Sequence, residues 1–186
     1  MEKLKHIIYN KNAMLILSFL TKNKGQETIS SHIAKEIGIS VGSTHQILKQ
    51  FEAEGIVKCR KIGKSAIYEI SNRNPMIKAF RQFENLVELD NLFENLKEHS
   101  RKIILFGSCG RGEDTQRSDI DLFIVADDDE HNVIKSLIDK YVIDRQIKPI
   151  IADMGEFINM ELTDKAFYLE VLKGTEVWEV SDGKYR

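Results

Sequence analysis

The stretch LFGSCGRGEDTQRSDIDLFIV, residues 105–125, decides how the carboxyl-terminal half of this chain is read. An apolar run halts at Gly107-Ser108, a polar loop follows, and apolar character returns as DIDLFIV. RKIILFGS reads as a strand ending in the Gly-Ser turn, and SDIDLFIVAD reads as a second strand. Side chains alternate along a strand, which puts Asp119 and Asp121 on one side, about 7 Å apart, and Ile120 and Leu122 on the other. Two carboxylates so placed repel, and they stay ionised together only with positive charge between them. A divalent cation answers that need. Magnesium, held by carboxylates and completed by substrate phosphates, is the usual choice. The turn supplies the other half of such a site: Gly107 allows close backbone approach to a phosphate, Ser108 can donate to its oxygens, and Arg111 adds a planar cationic fork. Gly110 and Gly112 permit a tight turn in the loop.

Downstream, EHNVIKSLIDKY reads as a helix and RQIKPIIAD as the next strand. The segment GEFINMELTDKAFYLEVLKGTEVWEV reads as two helices and a closing strand after Gly174, with Phe167, Leu169, Val171 and Trp178 as core residues. Upstream, residues 73–100 read as a connecting helix, capped by Asn74 with Pro75 at the first helical position. Its stripe Met76, Phe80, Phe83 and Val87, widened by Ile77, Leu86, Leu89, Phe93 and Leu96, is broader than one face requires. Two uses are open: packing against the carboxyl-terminal domain, or the seam of a homodimer.

Residues 1–72 parse differently, as three helices and a hairpin. NAMLILSFLTKN carries Leu15, Ile16, Phe19 and Leu20 at helical spacing, and TISSHIAKEIG carries Ile29, Ile33, Ala34 and Ile37. The third helix, in ISVGSTHQILKQFEAEG, has Ser40 as its cap and Val41, Ile47, Leu48 and Phe51 facing inward. After Gly55, IVKCRKIGKSAIYEIS alternates around a glycine turn as a two-stranded hairpin. This order resembles the winged helix-turn-helix family of DNA-binding regulators. On the third helix Ser43, Thr44, His45, Gln46, Lys49 and Gln50 are expected to face outward as donors and acceptors for base edges and phosphates. Lys58, Arg60, Lys61 and Lys64 on the hairpin are cations suited to the backbone of double-stranded DNA.

Charge separates the two halves as well. Formal net charge is −2 overall. Residues 1–72 hold 11 Lys/Arg against 6 Asp/Glu, whereas residues 73–186 hold 16 against 23. A basic module joined to an acidic one implies different partners. A charged fraction of 30% with 42% hydrophobic residues excludes a disordered chain. Cys59 and Cys109 share no metal or disulfide spacing and read as reduced thiols of a cytoplasmic protein. AMLILSFL is too short to span a bilayer, so no membrane partner is expected.

GSCGRGEDTQRSDIDLFIV also resembles the signature of the DNA polymerase beta-like nucleotidyltransferases: Gly-Ser, a spacer of ten, then Asp-x-Asp on a strand. Its GS-x-x-RG…SDIDL form looks most like the minimal nucleotidyltransferases, which include antitoxins that adenylylate a partner toxin. Together the two resemblances imply an α+β fold: an amino-terminal winged helix domain (1–72), the connecting helix (73–100), and a mixed-sheet domain flanked by helices (101–186). The nucleotidyltransferase resemblance further implies a nucleoside triphosphate, ATP by preference, bound with one or two Mg²⁺ ions, and transfer of AMP to a hydroxyl of a small molecule, protein or toxin. Carried over, Asp119 and Asp121 hold the metal and are catalytic, while Gly107, Ser108, Arg111 and Ser118 hold nucleotide. One position departs from the pattern. The strand expected to present a third carboxylate carries Lys148 beside Pro149, and an ammonium attracts phosphate but cannot act as a base. Either transfer proceeds with an acid from elsewhere, or the site binds nucleotide without turning it over in a transcriptional regulator.

Overall fold

A computed structural model describes residues 9–63, 65–71 and 74–180. The chain is α+β and divides into two compact units between Lys78 and Ala79, inside the connecting helix.

In the first unit, helix α1 (Lys11–Lys22) begins at Asn10, whose side chain accepts from the Asn12 and Ala13 amides. Thr28–Ile29 forms a short strand, β1, ahead of helix α2 (Ser30–Ile37). The expectation that Ile29 belongs to the second helix is therefore corrected: it pairs with Ile67 in a sheet, half-exposed. Helix α3 (Val41–Ala53) follows, with the Ser40 hydroxyl accepting from the Ser43 amide. Strands β2 (Val57–Ile62) and β3 (Ser65–Ile70) form the hairpin, antiparallel, and complete a sheet of order β1-β3-β2. Ile16, Leu20, Ile33, Leu48, Phe51 and Tyr68 fill the core. Leu15 and Val41, expected inside, are exposed at 36% and 50%; each lies on its helix away from the buried positions.

Helix α4 (Pro75–Lys97) is the long helix that the two units share. Strands β4 (Lys102–Phe106), β5 (Ile120–Val125), β6 (Ile147–Ala152) and β7 (Thr175–Glu179) form a mixed sheet of order β6-β5-β4-β7, in which only β5 and β6 run parallel. Helix α5 is the single turn Gly107–Gly110 directly after β4, and α6 (His131–Lys140) connects β5 to β6. Helices α7 (Met154–Thr163) and α8 (Lys165–Leu172) precede β7.

Alternation along the strands sorts side chains into two layers. Ile103, Leu105, Ile120, Leu122 and Ile124 pack with Leu89, Leu92, Phe93 and Leu96 of α4 and with Ile134 and Ile138 of α6. Ile104, Phe106, Phe123, Val125 and Ala152 pack with Phe157, Met160, Phe167 and Val171 of α7 and α8. Asp121 has the parity of Phe123 and Val125, so it belongs to the α7–α8 face. Leu169, expected in the core, is 46% exposed. Phe83 and Val87 on α4 are also exposed, at 56% and 60%, while the buried line of that helix runs through Leu89, Leu92, Phe93 and Leu96. Among the described residues no helix is long and apolar enough to cross a membrane.

Candidate functional site

Strand β4 ends at Phe106, directly opposite Asp121 in β5, and the chain turns at once through Gly107. Gly107 has φ +63°, and a Cβ built there would collide with the Asp121 carboxylate. Two demands, a left-handed backbone and close contact with a side chain, therefore meet at a residue without a side chain. Gly110 is constrained in another way: a Cβ on it would strike the carbonyl oxygen of Leu105. The carbonyl of Gly110 accepts from the Gln82 amide at 2.6 Å and from the Thr175 hydroxyl at 3.0 Å. Gly112 has φ +63° and closes the turn.

The aspartates sit where the sequence puts them. Asp119 stands one residue ahead of β5 and Asp121 is its second residue. Parallel pairing of β5 with β6 sets Lys148 directly beside Asp121, and the Lys148 ammonium lies 2.5 Å from Asp119 Oδ2. The pair is accessible, with the lysine side chain 52% exposed and the aspartate 40%. Burial pushes the Asp121 carboxyl above its ordinary value; Lys148 opposes the rise, and Asp119 adds to it. A carboxylate in that condition gains from a cation.

The loop between turn and strand is anchored by a buried polar cluster. Asp114 Oδ2 accepts from Arg81 Nε at 3.0 Å, Arg81 Nη2 at 2.7 Å and Arg145 Nη1 at 2.9 Å. Its other oxygen accepts from Asn85 Nδ2 at 2.9 Å, and that amide also donates to the Cys109 carbonyl at 3.1 Å. Arg145 reaches on to Glu88 at 2.6 Å. Arg81, Asn85, Asp114 and Arg145 are all buried. The Cys109 thiol donates to the Asp119 carbonyl at 3.2 Å, which links this cluster to the aspartate pair. Burial, with Asp114 adding to it, pushes the Cys109 thiol up to about 12. It is a packing group, not a nucleophile.

A family model described as polymerase beta, nucleotidyltransferase, matches residues 88–182. The chain belongs to this family. None of the curated proteins compared with the chain matches it. Among solved structures, a candidate nucleotidyltransferase from Sulfolobus solfataricus is 18% identical, with 59% of this chain and 93% of that one covered at a TM-score of 0.38. The homodimeric winged helix-turn-helix DNA-binding domain from Mycobacterium bovis is 20% identical over 53% of this chain and 82% of its own, with a TM-score of 0.36. NolR from Sinorhizobium fredii is 18% identical over 47% and 79%, also at 0.36.

Within the nucleotidyltransferase domain, Gly107, Asp119, Asp121 and Lys148 come together. Arg111 is engaged: its Nε is 3.1 Å from Glu113, and its Nη1 is paired with Glu170 of α8. Glu170 has no readable role in the sequence because its partner is far away along the chain. Ser118 Oγ accepts the Thr115 amide at 3.0 Å, so this hydroxyl stabilises the loop. Ser108 is half-buried at the turn, its carbonyl accepting from the Glu113 amide at 2.9 Å. Among the described residues there is no group of three His, Cys, Asp or Glu side chains that could hold a metal. Asp119 and Asp121 nevertheless form a hard-oxygen donor pair that could hold a divalent cation such as Mg²⁺. When bound, such an ion neutralises polyphosphate charge.

In the winged unit, Gln46, Lys49 and Gln50 on α3 and Lys58, Arg60 and Lys61 on β2 are exposed. Thr44 is corrected. It is fully buried and its hydroxyl donates to the Ser40 carbonyl at 3.0 Å, so it does not face outward. The buried face at this point of α3 is Thr44, Ile47, Leu48 and Phe51, and threonine's methyl suits it to that company. His45 is half-buried with Nδ1 3.4 Å from the Tyr68 hydroxyl, and Ser43 is half-buried beside the cap. Arg60 is paired with Glu27 at 2.6 Å. Lys64 lies outside the described residues.

Proposed function

We propose that this protein is a DNA-binding regulator that reads nucleotide: the winged unit holds double-stranded DNA, and the nucleotidyltransferase domain binds a Mg²⁺–nucleoside triphosphate, ATP by preference, without turning it over. The observation behind this reading is Lys148. It stands in register with Asp121 and bonds Asp119, on the strand where a third carboxylate is needed to take the proton of an attacking hydroxyl. An ammonium holds phosphate there and takes no proton. The Gly107 turn brings the backbone close to Asp121, and the two carboxylates would hold a cation there that could neutralise polyphosphate charge. For DNA, the support is the three-helix and hairpin architecture, the excess of Lys/Arg over Asp/Glu in residues 1–72, and the exposed Gln46, Lys49, Lys58 and Lys61.

A duplex selected from a random pool by the full-length protein serves as the probe. Its affinity is expected to change when a non-hydrolysable triphosphate and Mg²⁺ are added, and to stop responding in Asp119→Asn/Asp121→Asn. Indifference to all four triphosphates refutes the reading.

A second reading, nucleotidyl transfer to a protein or small-molecule hydroxyl, is favoured by the intact Gly107–Asp121 geometry. In it the hydroxyl oxygen bonds the α-phosphorus, the bond to the bridging oxygen breaks, pyrophosphate leaves and the proton passes to water. Label from α-labelled ATP accumulating on an acceptor, and lost in the double Asn variant, establishes that reading in place of the first.

A further inference from the structure

The proposed triphosphate site has to balance the charge of two carboxylates and a polyphosphate, and Lys148 changes how many metal ions that takes. Its direction is fixed by the sheet. Ile147 and Ile151 of β6 pack into the α4–α6 layer, so Lys148 projects from the other face, beside Asp121 and onto Asp119. The carboxylates that could have completed a second ion's shell are committed elsewhere. Glu170 is paired with Arg111 and Lys173. Glu113 is the other partner of Arg111. Two carboxylates and one ammonium leave one negative charge, which a single divalent ion overcomes and turns positive toward phosphate. With a carboxylate at position 148 there would be three negative charges, and a pair of divalent ions would be needed for the same result.

We propose that the Lys148 ammonium is a resident, covalently tethered cation of the nucleotide site. It stands where a second divalent ion would be held, so the domain takes up its triphosphate with one metal ion and contacts the polyphosphate itself. This rests on the nucleotide-binding reading and sharpens it: the ligand is a polyphosphate carrying a single metal, and a monophosphate, with no β- or γ-oxygens for the ammonium, binds far more weakly. Lys148 acts here as a binding and specificity-determining residue.

Mn²⁺ bound per chain, counted by electron paramagnetic resonance on the full-length protein saturated with α,β-methylene ATP, tests it. Wild type is expected to hold one ion and Lys148→Asp two. Lys148→Met is expected to hold one ion and to bind the analogue roughly tenfold more weakly, the scale of a lost charge-assisted hydrogen bond. Because the lysine is half exposed, both variants are expected to keep the wild-type circular dichroism; Lys148→Met is expected to unfold near the wild-type midpoint, and Lys148→Asp, with three carboxylates together, to unfold earlier and to recover when Mn²⁺ is added. Two ions in wild type, one in Lys148→Asp, or undiminished affinity in Lys148→Met each overturns the proposal while leaving nucleotide binding intact. Failure of the wild type to retain any analogue overturns both.

Discussion

Replacing Asp114 by Asn should unfold the nucleotidyltransferase domain's scaffold at a cost that no surface carboxylate could match. Asp114 has 0% side-chain exposure and accepts three hydrogen bonds from two guanidinium groups and a fourth from Asn85. In Asp114→Asn the shape is kept but the charge is gone, and the new amide presents N–H groups to partners that are themselves donors. Arg81, 2% exposed, and Arg145, 4% exposed, are left as buried cations with their shared counter-charge removed. Breaking a buried pair in this way costs about 3–5 kcal/mol. With a urea m-value of about 1.5–2 kcal/mol/M for a unit of this size, the midpoint falls by roughly 2–3 M. The single tryptophan, Trp178 in β7, reports on this unit alone by fluorescence. The control is Asp127→Asn, which breaks the Arg101–Asp127 pair at 37% and 58% exposure and should cost under about 1 kcal/mol. A loss for Asp114→Asn no larger than for Asp127→Asn would show that Asp114 is not the shared counter-charge of two buried guanidinium groups.

Gly107→Ala should cost about 1–3 kcal/mol and weaken triphosphate binding, because it places a Cβ at positive φ against Asp121; Gly42→Ala, in open space on α3, should cost nothing. A Gly107→Ala protein of unchanged stability and affinity contradicts this. The Cys109 thiol, held up to about 12, keeps in the folded state a proton that the unfolded chain gives up near pH 8.5; its contribution to stability is therefore complete below about pH 8.5 and is lost as pH rises toward 12. Cys109→Ala should flatten that alkaline fall, and equal slopes in both proteins would refute it. Lys49→Ala or Lys61→Ala should lower the slope of log affinity for DNA against log salt by about 1, whereas Glu27→Gln, by releasing Arg60, should steepen it. A flat salt response in wild type would remove the basic hairpin as the contact surface.

The features legible in the sequence were the local ones. The Gly-Ser turn, the spacer of ten and the Asp-x-Asp strand form a contiguous pattern, and their geometry followed because β4 and β5 are neighbours joined by that same loop. Lys148 was legible as the residue on the strand after the helix, but the parallel register that seats it beside Asp121 comes from the structure, because element order bears on strand direction and not on register. Asp114 was not. A carboxylate in a polar loop reads as solvated, and its partners lie 29 to 33 residues away, at Arg81, Asn85 and Arg145. The pairing of Arg111 with Glu170 was hidden for the same reason, because Glu170 approaches it from 59 residues downstream. Thr44 and Ile29 show the limit of residue-type reasoning: a hydroxyl was buried by helix phase, and an isoleucine was drawn into a sheet by pairing with the hairpin.

In the proposed function Asp119 and Asp121 hold a cation that in turn holds a polyphosphate. Calorimetric titration of the full-length protein with a non-hydrolysable triphosphate, in Mg²⁺ and again in excess chelator, measures this directly for wild type and Asp121→Asn. Binding in Mg²⁺ that is at least tenfold weaker with chelator, and equally weak in the variant, is the predicted result. Affinity that is the same with and without the ion, or untouched by Asp121→Asn, would contradict it.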